Sequence, residues 1–326
     1  MSVKDSVLHA LQENKGSFLS GEALSNALDV SRTAVWKAIK ALREEGYPVE
    51  AATNKGYMLM QDSWLITDES LRLCLPSRYR GNELFLYDTL DSTNIRAKQL
   101  AMEKDRNGTV VMARQQTEGR GRLGRSFFSP REGLYISLIV KPGFDMSKSV
   151  LVTCAAAVAV AEALEAVCHA DAKIKWVNDI FVDDKKVCGI LTEGILDFES
   201  RQIRQLVIGM GVNTTLKDFP EDLLGKVGAV EGNYSKSALA AEIISRTLDL
   251  TGDLESRTFM QSYRDRSLAL GKTVRVYPAG FREDPEKEGA GLAAKVLDID
   301  DDGGLEVLFS DGRRETLTTG EISIRL

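Results

Sequence analysis

The chain has 326 residues, of which 43% are hydrophobic and 28% are charged, an ordinary composition for a folded protein of two or three domains. Its net charge of −6 excludes a protein that coats nucleic acid with its whole surface, so any DNA contact is expected from a local patch. Four scattered cysteines and two histidines argue against a protein metal site or a disulfide framework, and we expect a cytoplasmic protein with no membrane-spanning run and no membrane partner.

Residues 1–62 are predicted to form a winged helix-turn-helix domain. Apolar spacing predicts a helix over Val3–Asn14, a second helix after the N-cap Ser20 and a third over residues 32–45, followed by two short strands as the wing. The third helix would present these groups to phosphates and base edges: Ser31, Arg32, Thr33, Lys37 and Lys40. Acidic and basic side chains cancel within residues 1–60, so strong DNA binding is expected to need a dimer. A helical module that only packs is the alternative.

The rest of the chain divides into three parts. Residues 63–81 are predicted as a linker, and residues 82–270 as an α+β domain with a mixed sheet, because helices and strands do not alternate regularly there. Residues 271–326 contain short strands joined by Asp- and Gly-rich turns, which predict a small SH3-like β-barrel. Its acidic segment 281–291 is interpreted as a solvated loop.

The segment Gly119–Arg125, with the sequence GRGRLGR, places three glycines and three arginines in one loop between two predicted strands. Glycines let a backbone approach a polyphosphate closely, and guanidinium groups bind its oxygens. GRGRLG also fits the dinucleotide pattern G-x-G-x-x-G. A strand rather than a helix follows Pro130 and Gly133, however, which disfavours a Rossmann site. A solvated basic hairpin is the other interpretation.

Three further segments accompany this loop: Asp91-Ser-Thr-Asn94, Lys175-Trp-Val-Asn-Asp179 and Ile208-Gly-Met-Gly-Val-Asn213. Together the four segments resemble the biotin protein ligase family. The whole chain is similar to the bacterial bifunctional members of that family, which also repress the biotin operon. Val177 and Phe127 stand where the family usually has proline and tryptophan, which leaves the polar groups unchanged.

This resemblance implies a two-step activity. Biotin and ATP would give biotinyl-5'-adenylate and pyrophosphate, and biotin would then pass to a lysine of a biotin carboxyl carrier domain. It implies ATP and Mg²⁺ as cofactors, operator DNA as a partner, the adenylate as corepressor and a homodimer when the adenylate is bound. A carboxylate is already ionised at pH 7, so the first step needs cations rather than a general base.

The resemblance also assigns residues to the site. Biotin is expected at Ser92, Thr93, Asn94, Gln116, Arg120, Gly121, Arg122 and Lys175. ATP and the adenylate are expected at Gly119, Arg120, Arg122, Arg125, Asn178, Gly189, Gly209, Gly211 and Asn213. The catalytic candidates are Lys175, Arg122 and Asp179, with Asp179 assisting deprotonation of the acceptor lysine.

Each segment also has a purely structural interpretation. Asp91–Asn94 is typical of a helix N-cap, Gln116 of a loop, Asn178–Asp179 of a turn and residues 208–213 of a β-bulge. Cys188 is interpreted as a buried apolar side chain rather than a nucleophile. Three alternatives to a bifunctional ligase remain open: a ligase without regulation, a repressor with an inactive ligase domain, and a lipoate-protein ligase.

Overall fold

The computed structural model describes residues 2–14, 16–44, 47, 49–53, 55–59, 66–141, 149–196, 203–277, 291–318 and 321–323. The amino-terminal domain consists of α1 (Val3–Glu13), α2 (Gly21–Leu28), α3 (Arg32–Glu44), β1 (Val49–Ala52) and β2 (Gly56–Leu59). The two strands pair antiparallel as the wing. The predicted winged helix-turn-helix is therefore confirmed.

Local capping and a small core explain why these three helices form. The hydroxyls of Ser20 and Ser31 accept hydrogen bonds from the N–H groups of Ala23 and Ala34 at 3.0 and 3.1 Å, as predicted for N-caps. One apolar face of each helix packs into a hydrophobic cluster that is separate from the rest of the core. The domain thus buries its own apolar surface.

The predicted linker 63–81 is wrong from Asp68 onward. α4 (Asp68–Cys74) begins after Thr67, whose hydroxyl and that of Ser70 cap the helix reciprocally. Leu71 and Leu75 are buried in the core of the central domain. A helix of seven residues is too short for its apolar periodicity to be recognised in the sequence. Residues 63–65 lie outside the described residues.

The central domain is built on one mixed sheet, which confirms the α+β class. Its strands are β3 (Leu84–Leu90), β4 (Thr109–Gln116), β5 (Leu134–Val140), β6 (Lys173–Lys175), β7 (Asp179–Val182), β8 (Lys185–Leu196) and β9 (Ile203–Val212). They lie in the order β3-β4-β5-β9-β8-β7-β6, parallel between β3 and β4 and antiparallel elsewhere. The helices are α5 (Thr93–Glu103), α6 (Ser149–Cys168), α7 (Glu221–Leu224), α8 (Lys236–Gly252) and α9 (Met260–Asp265).

α6 corrects the expectation that the sequence contains no run apolar enough to cross a membrane. Residues 150–168 are a run of 19 residues with a mean hydropathy of 2.0, long and apolar enough to cross a membrane by length and composition alone. Within the protein, 72% of this stretch is buried, and α6 packs against α8 and β8. Burial on nearly all sides explains an all-round apolar helix in the core of a globular domain.

The carboxy-terminal domain is a sheet of β10 (Thr273–Tyr277), β11 (Leu292–Ile299), β12 (Leu305–Phe309), β13 (Arg314–Leu317) and β14 (Glu321–Ser323). Its order is β13-β12-β11-β10-β14, antiparallel throughout. This agrees with the small β domain predicted for this region. Apart from Gly291, the predicted acidic loop lies outside the described residues. Buried Val274, Val296 and Val307 belong to the same hydrophobic core as α6, so this domain and the central one share a core.

Candidate functional site

A cavity of about 180 Å³ lies where the arginine loop, Gly119–Arg125, faces the seven-stranded sheet. All four sequence segments singled out above contribute to its wall. The lining residues are Ser92, Thr93, Asn94, Gln116, Arg120, Gly121, Arg122, Arg125, Ser126, Phe127, Tyr135, Lys175, Trp176, Asn178, Asp179, Lys186, Gly189, Ile190, Leu191, Gly209, Met210 and Gly211. The fold therefore brings together segments that are far apart in the chain.

One end of the cavity is polar and is organised at the start of α5. The amide oxygen of Gln116 accepts from the N–H of Thr93 at 2.8 Å and from its hydroxyl at 3.0 Å. The Ser92 side chain makes no capping hydrogen bond. Gln116, on the neighbouring strand, therefore satisfies the helix N-terminus, and the capping interpretation of this segment is only partly right.

Asn94 is fixed by partners on both sides of its amide. Its Oδ1 accepts from the Ser137 hydroxyl at 2.6 Å, and its Nδ2 donates to Glu193 Oε2 at 2.8 Å. Glu193 is held in turn by Lys98, whose Nζ lies 2.7 Å from Oε1. Asn94 and Ser137 are buried, while the side chains of Lys98 and Glu193 are 26% and 27% exposed. Together these contacts present an oriented amide at the cavity wall.

The glycines of β8 and β9 make room for neighbouring side chains. A Cβ at Gly209 would lie 2.2 Å from Oδ1 of Asn94, and a Cβ at Gly211 would lie 2.5 Å from the Phe127 ring. At Gly189 the same ring would be 3.1 Å away. Glycine is therefore required at the first two positions by packing, while a role in admitting nucleotide stays a prediction.

The arginine loop forms a short hairpin. The N–H of Gly121 donates to the carbonyl of Arg125 at 2.7 Å, and the N–H of Phe127 donates to the carbonyl of Gly119 at 2.8 Å. Gly119 does not line the cavity. A Cβ there would lie 2.2 Å from the Phe127 carbonyl oxygen, so this glycine allows the two sides of the hairpin to approach.

The hairpin turns all three of its arginines to the cavity: Arg120, Arg122 and Arg125. Arg122 Nη1 donates to Asn178 Oδ1 at 3.3 Å, which links the loop to the segment after β6. Asn178 is fixed by its own strand partner, because its Nδ2 donates to the carbonyl of Ile190 at 2.8 Å. Apart from Gly119, the predicted adenylate residues of these two segments therefore share one wall.

Two lysines line the cavity, and the sequence analysis identified one of them. Lys175 ends β6, and its Nζ lies 5.9 Å from the centre of the Phe181 ring. Lys186 was missed. Its Nζ forms an ion pair with Oδ1 of Asp179 at 2.7 Å. A lysine near the start of a strand carries no signal in the sequence, and the register that sets β8 beside β7 is what places it here.

Six apolar or aromatic residues of the cavity wall were not among the predicted site residues, because such side chains carry no chemical signal of their own in the sequence: Phe127, Tyr135, Trp176, Ile190, Leu191 and Met210. The Tyr135 hydroxyl donates to the carbonyl of Pro130 at 2.9 Å, and burial raises the pKa of Tyr135 well above its usual value. The wall thus combines an apolar slot with fixed polar groups, as small-molecule sites commonly do.

Asn213 directly follows β9 and was predicted to bind the nucleotide. It does not line the cavity. It is buried, its N–H donates to the carbonyl of Val187 at 2.8 Å, and its Nδ2 donates to that of Gly228 at 3.1 Å. Cys188 is buried as expected, and burial raises the pKa of its thiol, which argues against a nucleophile.

The candidate DNA-contacting side chains lie at the surface of α3. Thr33, Lys37 and Lys40 are exposed, and Arg32 pairs with Glu22 of α2 at 2.5 Å. Trp36, which the sequence analysis did not select, is 53% exposed on the same helix. The exposure of Trp36 could have been predicted from the sequence. Trp36 directly follows buried Val35, which belongs to the apolar stripe of α3, so Trp36 must lie off that stripe.

Magnesium, which the family resemblance implies, finds few protein ligands here. Asp179 is the carboxylate among the lining residues, and it is paired with Lys186. Within the described parts of the chain, no group of three or more His, Cys, Asp or Glu side chains is placed to hold a metal ion. This donor set fits a Mg²⁺ ion that is carried mainly by the phosphates of a nucleotide.

Known families match both the amino-terminal domain and the central domain. Residues 86–213 match the biotin/lipoate A/B protein ligase family and residues 4–58 match a helix-turn-helix domain family. The chain is 38% identical over 225 residues to the bifunctional ligase/repressor BirA of Bacillus subtilis, covering 68% of this chain and 69% of that protein. It is 29% identical over 318 residues to the Escherichia coli protein of the same name, covering 95% and 94%.

Among solved structures, the biotin protein ligase from Aquifex aeolicus in complex with biotin and ATP superposes with a TM-score of 0.61 at 24% identity. The match covers 74% of this chain and 98% of that one. At this identity the likeness shows that the fold is shared.

Proposed function

The chain belongs to the biotin protein ligase family, and from that premise we propose that it is an ATP-dependent biotin protein ligase and a biotin-responsive transcriptional repressor. One observation carries the proposal. The four segments that mark the family in the sequence converge on a single cavity, in a chain that begins with a winged helix-turn-helix domain. The cytoplasm is the compartment where such a protein meets both its carrier and its operator.

The charge of the cavity supports the first step. Five cationic side chains line it, against the single carboxylate of Asp179: Arg120, Arg122, Arg125, Lys175 and Lys186. In that step an oxygen of the biotin carboxylate forms a bond to the α-phosphorus of ATP, and the bond to pyrophosphate breaks. Both reactants are anions, so a wall of this charge lowers the cost of bringing them together and stabilises the departing pyrophosphate.

The polar end of the cavity suits the ureido ring of biotin. That ring is neutral and offers both donors and acceptors. Ser92, Thr93, Asn94 and Gln116 provide both kinds of group, and their hydrogen bonds fix the orientation of the two amides before a ligand arrives. The apolar wall beside them accommodates the hydrocarbon part of the ligand.

Two lysines are candidates for binding the reacting carboxylate. Lys175 was assigned there from the family motif, and Lys186 is added by the structure. The ion pair with Asp179 gives the Lys186 ammonium a defined position. We therefore assign Lys186 together with Lys175 to the carboxylate and the α-phosphate. Mg²⁺, bound chiefly through ATP, would supply further positive charge at the phosphates, with Asn178 and Asp179 as the nearby oxygen donors.

In the second step the amine of the carrier lysine attacks the acyl carbon of the adenylate and AMP leaves. The ammonium group of the carrier lysine must lose one proton to become a nucleophilic amine, and the nitrogen loses a second proton as the amide forms. Asp179 is our candidate for receiving one, because it is the carboxylate at the cavity wall. Asp179→Asn should therefore slow transfer from preformed adenylate more than it slows adenylation.

The regulatory half is proposed to use the adenylate as corepressor. We infer a homodimer in the adenylate-bound state, since the winged helix carries no net positive charge over residues 1–60 and two copies reading two half-sites would compensate. Ser31, Arg32, Thr33, Lys37 and Lys40 are the proposed contacts on α3.

The ligase half is tested by transfer to a carrier. With purified biotin carboxyl carrier domain, ATP, Mg²⁺ and radiolabelled biotin, the full-length protein should label the carrier, and should not label a carrier whose acceptor lysine is replaced by arginine. The matching family also includes lipoate ligases, so lipoate is assayed in parallel. Labelling with lipoate instead of biotin, or with neither, would refute the assignment.

A further inference from the structure

Trp176 lines the cavity, yet its side chain is held from the carboxy-terminal domain. The indole Nε1 donates a hydrogen bond to the carbonyl oxygen of Gly303 at 2.9 Å, and both groups are buried. Gly303 lies in the turn between β11 and β12, 127 positions further along the chain. One wall of the cavity is therefore tied to a turn of another domain.

The turn that carries this carbonyl is braced independently of Trp176. Oδ1 of Asp300 accepts from the N–H groups of Asp302 and Gly304 at 2.9 and 2.7 Å. From the central domain, Arg257 donates to Asp302 Oδ1 at 2.6 Å and to the carbonyl of Asp301 at 3.1 Å. The Gly303 carbonyl is consequently a fixed acceptor rather than one that follows the indole.

Position 303 accepts no side chain without moving the turn. Gly303 has a φ of +85°, and a Cβ there would lie 2.9 Å from Sγ of Cys154 and 3.1 Å from Val150, both on α6. Gly312, in the next turn of the same domain, has the same φ of +85° but nothing within 4 Å of an added Cβ. It is a matched control for the backbone strain alone.

The main chain on either side of Trp176 has other supports. The N–H of Ile174 donates to the carbonyl of Arg266 at 2.8 Å, and the hydroxyl of Tyr263 donates to the carbonyl of Val177 at 3.1 Å. These contacts fix the backbone of the segment but not the tilt of the Trp176 ring. The hydrogen bond to Gly303 acts on the ring itself.

We propose that Gly303 is a positioning residue for the ligase reaction, whose carbonyl sets the orientation of the Trp176 ring and thereby the shape of the substrate cavity. The inference rests on the proposed ligase function. Through this contact the carboxy-terminal domain acts on substrate binding without touching the substrate. A loss of the contact leaves a buried acceptor unpaired and frees the ring to tilt into the cavity or away from it.

The test uses three full-length variants: Gly303→Ala, Trp176→Phe and Gly312→Ala. Biotin-dependent pyrophosphate exchange is measured at a temperature where circular dichroism shows each variant to be folded. The KM for biotin should rise about tenfold in the first two variants, because Trp176→Phe removes the donor and the added Cβ of Gly303→Ala displaces the turn that carries the acceptor. It should stay within about twofold of wild type in Gly312→Ala, which has the strained backbone but keeps the contact.

The double variant Gly303→Ala/Trp176→Phe separates loss of the contact from loss of ring area. The KM of the double variant should equal that of the weaker-binding single variant, because both changes disrupt the same hydrogen bond. Multiplied effects, or an unchanged KM in Trp176→Phe, would overturn the proposal. So would a lowered melting temperature of Gly303→Ala with unchanged KM. If Gly303→Ala does not fold, Trp176→Phe decides. No exchange by the wild type would instead refute the proposed function.

Discussion

Lys186 shows what a single residue adds to the site. Its ammonium group is paired with Asp179 at the cavity wall, whereas Lys175 lies beside the Phe181 ring. The two side chains are 31% and 22% exposed, so the pair is partly shielded from water, and removing one partner leaves the other uncompensated. Lys186 is therefore expected to matter at least as much as the lysine found from the sequence motif.

We predict that Lys186→Met lowers kcat/KM for biotin-dependent pyrophosphate exchange by about 100-fold or more, the usual cost of deleting one group that stabilises developing charge. Lys175→Met should cost no more than this. Lys185→Met is the control, because Lys185 is exposed and does not line the cavity. Full activity of Lys186→Met would contradict the assignment of this lysine.

Lys236 gives a prediction about pH. Burial lowers its pKa to about 7, and its Nζ donates to the carbonyl of Glu132. In the unfolded chain a lysine has a pKa of about 10.4, so between these values the unfolded state binds more protons. The contribution of Lys236 to stability therefore rises with pH from about 7 toward 10, and below pH 7 the full cost of burying the ammonium group remains.

The check is the melting temperature measured from pH 7 to pH 9. The slope of melting temperature against pH should be more positive in wild type and Lys185→Met than in Lys236→Met, because the new side chain of Lys236→Met does not titrate. Equal slopes in Lys236→Met and wild type would mean that Lys236 stays protonated in the folded protein.

Polar site residues that stand in short, unusual patterns could be identified from the sequence, as the three arginines of the loop were. Lys186 and Trp176 could not be identified as cavity residues, because their positions depend on which strands become neighbours in the sheet. Asn213 was expected to bind the nucleotide, whereas in the structure its backbone N–H donates to the carbonyl of Val187 and its side-chain amide donates to that of Gly228. A motif shows which residues travel together but not which of them face the cavity.

Among the elements, those with strong local signals were predicted well. β5 (Leu134–Val140) follows Gly133 and β10 (Thr273–Tyr277) opens the carboxy-terminal region, where strands were predicted. Ser20 and Ser31 cap their helices. α4 was missed because a helix this short is stabilised by burying Leu71 and Leu75 in a distant core rather than by its own pattern. The order of strands in a mixed sheet is likewise set by long-range pairing.

α3 carries the prediction for DNA. Lys37→Ala removes one exposed ammonium from its surface, so with biotin and ATP present it should weaken binding to a duplex selected by the wild-type protein. The slope of log K against log salt should fall by about 1 if Lys37 contacts a phosphate. Ligation should be unchanged, and deletion of residues 1–62 should abolish the DNA binding. Unaltered affinity and slope would remove Lys37 from the interface.

Across the whole molecule, the domains are joined by specific contacts. The Tyr47 hydroxyl of the winged helix donates to Thr67 Oγ1, the cap of α4, at 2.6 Å. The hydroxyls of Ser70 on α4 and Ser237 on α8 lie 2.9 Å apart. On the other side, the turn at Gly303 reaches Trp176. Both flanking domains therefore touch elements of the ligase domain, which domain boundaries predicted from the sequence did not reveal.

The cavity is proposed to activate biotin with ATP. The most direct measurement is exchange of radiolabelled pyrophosphate into ATP by the full-length protein, with biotin, with lipoate and with neither. Label should enter ATP with biotin alone, because the reverse of adenylate formation requires the bound biotinyl group. Exchange that is absent with biotin, or that depends on lipoate, would contradict the account.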